Sequence, residues 1–504
     1  MTEAPQDTLQ PRRALAWWIA SVCAVGAVAY GAWCFSQQVG QGFIVTGLRN
    51  PGYGGAAWGL YIAFDVFFVG VSFAGITVSA LSRLFHIEVL RPATRVAELV
   101  TITALIAGGC VIVADLGRPL HGLLDLPRYA RPESPFFGTF TLVVAGYLFS
   151  SMVFFFLSAR HDAAHMADHG PRAVRWLYRL WATGYRGTKA ERTRHRIASF
   201  WLSVTILPLL VTAHSTLGFI FGIQSGRPGW FGALQAPAFV VLAGVSGTGM
   251  VILALVSVRK IFGLEDQIPA TTVRWLANFM ATLALVYLYF MIVEELTATY
   301  AAPTADRRVA HEVVGGHFGP MFWVTVTCLA LTFAIPFVLR VRRVISIPAM
   351  VLVAVLANVA AVLKRLLIVV PSQTHGALLP IEPGTYAPTR IEYGIIVGLF
   401  GVLAASVLVF GRLFPLAPSS AKVGDPSASG ADSPRRRAIR YGATGIVAAT
   451  ALAMIALGLA DSFRLFSNGE LDPRIPYSPV LFAGGVMLLF CSAIVYETFP
   501  PARG

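Results

Sequence analysis

The stretch IPAMVLVAVLANVAAVLKRLLIVV, residues 347–370, reads as one apolar helix of membrane length that carries two neighbouring cations, Lys364 and Arg365, near its end. About 20 apolar residues, rising 1.5 Å each, cross the roughly 30 Å hydrocarbon core of a bilayer. Runs of this kind recur about twelve times along the chain, at 14–35, 57–79, 96–114, 136–158, 198–222, 235–258, 275–300, 319–339, 347–370, 391–413, 439–460 and 479–498. Of the 504 residues 56% are hydrophobic and 13% charged, and the mean hydropathy is +0.68. The expected class is an all-α polytopic membrane protein, because a helix satisfies its own backbone in lipid. The first run is long for the apolar core of a cleavable leader, and no AxA-like site follows it.

Working outward from that stretch, most of the 39 lysines and arginines fall on one side of the expected spans, densest between Arg160 and Arg196. Basic residues are retained on the cytoplasmic side of short loops, which predicts a multi-pass protein of the cell (inner) membrane with both termini cytoplasmic. The formal charge of +14 is then a topology signal, and no nucleic-acid partner is expected. Cys23, Cys34, Cys110, Cys328 and Cys491 all lie in spans without CxxC spacing, so neither a disulfide framework nor an iron-sulfur cluster is expected in this chain. His214 is the one histidine well inside a span, which disfavours a bis-histidine haem.

Three segments are expected: a ten-helix core over 1–414, a Pro, Ser and Gly-rich cytoplasmic linker over 415–437, and a two-helix hairpin over 438–504. Within the core, spans two to five and six to nine each make four antiparallel crossings, predicting two four-helix bundles with peripheral helices. The basic loop 159–197 contains RAVRWLYRLW, a candidate surface helix; it is either a lipid-headgroup or docking element or a solvated topogenic loop.

Ionisable groups inside a membrane are costly and each asks for a partner. Asp65, Asp115, His214, Glu294, Glu295, Lys364 and Arg365 all fall in the outer half by position. Lys364 and Arg365 match the depth of Glu294 and Glu295, so the four form either a proton-transfer pocket or a buried ion pair that holds two helices. Tyr61, Asp65, Ser72 and Ser79 share one helical face, either as a proton wire or as small polar residues that ease packing. The glycines of GVSGTGM, residues 244–250, read as packing contacts.

Several segments resemble the NrfD, or polysulfide reductase membrane-subunit (PsrC-like), family, in its ten-helix hydrogenase and sulfite-reduction-complex branch. They are NPGYGGAAWGLYIAFDVFFVGVSFAG (50–75), ADLGRPLHGL (114–123), AHSTLGFIFG (213–222), KRLLIVVPSQTHG (364–376) and PGTYAPTRIEYGI (383–395). The resemblance implies a quinone-interacting subunit (menaquinone or ubiquinone) of a respiratory oxidoreductase complex. It would exchange electrons with a ferredoxin-like iron-sulfur partner beside a molybdopterin, hydrogenase or cytochrome catalytic subunit, with proton translocation as a further expectation. Carried over by position, the quinone residues are His214, Asp65 and Asp115, with Tyr61 and Arg118; Arg118 would orient Asp115. Two other readings stay open: a proton-coupled secondary transporter, and a structural anchor whose buried charges only join helices.

Overall fold

The computed structural model describes residues 11–48, 55–122, 124, 146–300, 302–376, 384–417, 433–468 and 478–499. Among them are helices α1 (Pro11–Gln41), α2 (Leu60–Leu84), α3 (Thr94–Asp115), α4 (Phe149–His169), α5 (Arg175–Ala182), α6 (Lys189–Gly222), α7 (Gln235–Phe262), α8 (Ala270–Tyr300), α9 (Thr304–Val314), α10 (Gly319–Val341), α11 (Ile347–Val369), α12 (Arg390–Leu413), α13 (Pro434–Asn468) and α14 (Ser478–Thr498). Eleven of the helices are long and apolar enough to cross a membrane, and each matches an expected span. The remaining expected span begins at Phe136, outside the described residues; α4 is its described part. Most of the expected linker and the NPGYG head of the first resembling segment also lie outside them.

The packing closes two rings. Helices α2, α3, α4 and α6 contact in turn around one bundle, and α7, α8, α10 and α11 around the other. The bundles meet where α2 packs on α7 and α11, and where α6 packs on α7. This explains why α2 is buried along most of its length, whereas α1 turns Trp18, Val22 and Val25 outward, as a lipid-facing helix does. Helices α1 and α12 pair outside the rings, and the α13/α14 hairpin leans on α6 and α4 through α14.

Close approach depends on small residues at two crossings. A Cβ at Gly75 would collide with the Ala97 carbonyl of α3, and one at Gly31 of α1 with the backbone of Gly398 in α12; close backbone contact of this kind drives helix association in lipid. Local signals set the helix starts. Thr188 with Glu191, and Thr389 with Glu392, form reciprocal capping boxes on α6 and α12. Ser346 caps α11, whose first turn holds a proline.

Candidate functional site

One end of the first bundle gathers polar groups from α1, α2 and α3. On α2, the Tyr61 hydroxyl donates to Gln38 Oε1 at 2.5 Å, and Gln38 Nε2 donates to the Ala114 carbonyl at 2.6 Å. One residue further along α3 is Asp115, buried and within electrostatic range of both Tyr61 and Asp65. Asp65, one turn deeper than Tyr61, is buried against Gly108 of α3, and its Oδ1 has no hydrogen-bond partner among the described residues. The structure therefore brings Tyr61, Asp65 and Asp115 together and adds Gln38. Arg118 is exposed beyond the end of α3.

A second layer braces this group from α12. Glu392 Oε2 accepts from the backbone of Gly47 at 2.8 Å and of Thr389 at 2.9 Å. Its Oε1 accepts from the Tyr386 hydroxyl at 2.6 Å, and that hydroxyl accepts from Leu60 N at 2.7 Å. Burial, reinforced by the Glu392 charge, raises Tyr386 above the ordinary phenol range. Beside these residues a cleft of about 380 Å³ is lined by Trp33, Gln37, Gln41, Val45, Thr389, Arg390 and Ile391.

His214, from α6, meets α2 one turn below Asp65. Its Nδ1 lies 2.8 Å from the Leu210 carbonyl and its Nε2 2.9 Å from the Val69 carbonyl, with Phe73 and Tyr147 edge-on to the ring. A neutral ring can donate to only one of these two carbonyls, and its tautomer decides which. The hydroxyls of the α2 stripe end on carbonyls too: Ser72 donates to Val69 at 2.5 Å and Ser79 to Thr94 at 3.4 Å.

In the second bundle, Lys364 Nζ of α11 lies 2.7 Å from Glu294 Oε2 of α8. Gln235 Nε2 of α7 reaches Glu294 Oε1 at 3.5 Å. Lys364 is nearly buried, its side chain 4% exposed against 29% for Glu294. Arg365 turns the other way: it stacks 4.0 Å over Phe239 and contacts that residue's carbonyl at 3.4 Å, leaving Nη1 buried without a partner among the described residues. Glu295 Oε2 is buried and without a hydrogen-bond partner in the same sense.

A layer absent from the sequence reading lies at the other end of the first bundle. Arg83 meets Glu98 at 3.2 Å, Ser158 donates to Glu98 at 2.6 Å, and Arg95 pairs with Asp162 at 2.8 Å. Arg160 lies 3.7 Å and His195 2.6 Å from Glu497 of the terminal hairpin. Glu98 was visible as a carboxylate just inside the apolar run of α3. Its partners read as ordinary loop charges because they follow the spans they brace.

With this geometry in hand, comparison with known proteins is specific. The family model described as polysulphide reductase, NrfD, matches residues 50–377. A protein of Halobacterium salinarum assigned as a membrane subunit of dimethyl sulfoxide reductase is 29% identical over 81% of this chain and 94% of its own length. A selenate reductase subunit of Mesobacillus selenatarsenatis is 22% identical over 72% of this chain and 86% of its own. The Hdr-like menaquinol oxidoreductase integral membrane subunit of Archaeoglobus fulgidus is 24% identical over 79% and 93%.

Proposed function

The chain belongs to the polysulphide reductase NrfD family, and from that premise we propose that it is the quinone-linked integral membrane subunit of a respiratory oxidoreductase complex. It exchanges electrons between a membrane quinone, menaquinone or ubiquinone, and a ferredoxin-like iron-sulfur subunit docked on its outer face, which passes them to or from a catalytic subunit. The basic side of the molecule, with both termini, faces the cytoplasm of the inner membrane.

The observation that carries this reading is the buried group of Tyr61, Asp65 and Asp115 inside the family-matched segment, with Gln38 of α1 bonded to Tyr61. A quinol supplies two electrons and two protons, so its site needs hydrogen-bonding groups at the ring oxygens and a base that takes a proton. The residues fit: Asp65 Oδ1 is a buried acceptor with no partner among the described residues, and Tyr61 can turn its hydroxyl from Gln38 to a new acceptor. Asp65 takes the two protons in turn, Asp115 passes each outward, the electrons leave to the iron-sulfur subunit, and the cleft beside Thr389 is the approach for the ring. His214 holds α6 to α2 and contacts a ring oxygen only if its bond to Val69 opens. Glu294, Glu295, Lys364 and Arg365 serve proton transfer rather than ring binding, with Ser72 and Ser79 below the Tyr61 group. A transporter of this size places its site in interrupted helices; here α7, α8 and α11 run unbroken past their buried charges.

The test is quinol-dependent electron transfer in membranes that hold the native complex at equal protein levels. Asp65→Asn is expected to lower the rate about 100-fold, the scale of a positioned proton acceptor. Glu294→Gln is expected to keep electron transfer and lose proton coupling. Wild-type electron transfer and proton coupling in both variants, and in His214→Ala, would sink the assignment and favour transport or anchoring.

A further inference from the structure

We propose that the face formed by α5 with α4 and α12 is a binding site for an anionic phospholipid, one acyl chain lying in the groove and the headgroup over the basic flank of α5. The groove, about 360 Å³, is walled by Phe156, Val174, Leu177, Trp181, Phe410 and Phe414, so its lining is apolar. It lies at the membrane edge: Phe410 belongs to the last turns of a spanning helix, α12.

The groove is rigid. The Trp181 indole donates to the Phe156 carbonyl at 2.9 Å, Tyr178 donates to the Leu413 carbonyl, and Arg175 donates to Gly170 at 2.9 Å. These bonds tie the eight-residue α5 to the Phe156 carbonyl of α4 and the Leu413 carbonyl of α12. Trp181 also stacks on Phe414, with centroids 5.0 Å apart.

The charge pattern selects the occupant. Val174, just before α5, and Leu177, Tyr178, Leu180 and Trp181 of α5 line the groove, while Arg175 and Arg179, one helical turn apart, form the adjoining flank. Arg172, just before the helix, and Arg179 are exposed. Trp176 and Leu180 are 63% and 68% exposed, which suits side chains dipped into the boundary between headgroups and acyl chains. An apolar groove beside a cationic flank at a membrane edge complements a phosphate that carries a chain.

The experiment measures lipids retained by the whole chain from nanodiscs of equimolar phosphatidylcholine and phosphatidylglycerol, by native mass spectrometry. Wild type is expected to retain phosphatidylglycerol selectively. In R172Q/R179Q, whose two side chains are exposed, selectivity should fall about 25-fold, since each interfacial cation is worth about fivefold in anionic-lipid binding. In L177A/L180A, retention of both lipids should fall with selectivity kept. No preference in wild type, or full selectivity in R172Q/R179Q, would overturn the site. So would displacement of the lipid by glycerol phosphate alone, which would indicate a phosphate site without a chain, or occupation of the groove by a polypeptide of the complex.

Discussion

In the second bundle Lys364 sits 2.7 Å from Glu294 on the facing helix, whereas in the first Asp65 keeps a buried carboxylate oxygen without a hydrogen-bond partner among the described residues. Both lie in four-helix rings of the same design. The second bundle settles a charge with an opposite charge. The first arranges hydroxyl, amide and carboxylate groups into bonds that end on backbone, such as Gln38 on Ala114. An acceptor left open next to a mobile hydroxyl is placed to take a proton from a bound group, while a carboxylate beside a cation, with the open Oε2 of Glu295 next to it, is placed to hold or release one as a neighbouring charge changes. On the proposed reading the quinone belongs to the first bundle and coupling to the second, and each side of that division can be attacked.

The largest effect is expected at the pair. Lys364→Met removes one partner of an interhelical ion pair and leaves Glu294 uncompensated; breaking a buried pair from one side costs about 3 kcal/mol, a ceiling here because Glu294 is partly exposed. Thermal unfolding in nanodiscs should show the loss, and Lys364→Met with Glu294→Gln should regain most of it. If the double variant is no better than the single, the two residues are not balancing one another.

Gln38→Leu probes the other bundle. The substitution deletes the acceptor for Tyr61 and the donor to Ala114, two bonds worth about 1 kcal/mol each, so a loss of about 2 kcal/mol is expected in the same unfolding measurement. A negligible change would mean that the Tyr61 group is not knit together through α1.

Arg365→Met sharpens the comparison within one helix, since Arg365 directly follows Lys364 yet has an aromatic ring and a long carbonyl contact in place of a carboxylate. Replacing a poorly compensated buried charge by an apolar chain is neutral or gains about 1 kcal/mol. A loss as large as that of Lys364→Met would show that the two cations carry equal structural weight.

Much of this was legible in the sequence, and the limits have physical causes. Apolar runs dictated the spans, and the crossing order dictated the rings, because only helices of sufficient length satisfy their backbone in lipid. That Lys364 and Arg365 share a depth with Glu294 and Glu295 was readable from the spans; that Lys364 meets Glu294 while Arg365 turns to Phe239 was not. The partners of His214 were not, because the carbonyls of Leu210 and Val69 leave no mark in residue type. Gln38 escaped because α1 continues to Gln41, past the apolar run that ends at Phe35. The stripe of Tyr61, Asp65, Ser72 and Ser79 does face inward, all four buried, but only the structure reveals that the serine hydroxyls close on carbonyls.

The smallest expected effect lies just past the end of α11. His375 stacks on His317 at 5.9 Å and shares a 2.8 Å contact with Thr374 Oγ1. Burial lowers His375 below the ordinary imidazole value of 6.5, with His317 and Arg308 adding to the effect and Glu312 opposing it. The folded chain therefore binds this proton less readily than the unfolded chain. The stability His375 contributes is in place above pH 6.5 and is lost as the pH falls from there through its depressed folded value. Stability of the wild type, followed from pH 8 to pH 5, should decline on the acid side, and His375→Gln should flatten part of that decline while leaving the slope above pH 7 unchanged. An unaltered acid limb would show that His375 does not carry the acid sensitivity, whatever its burial.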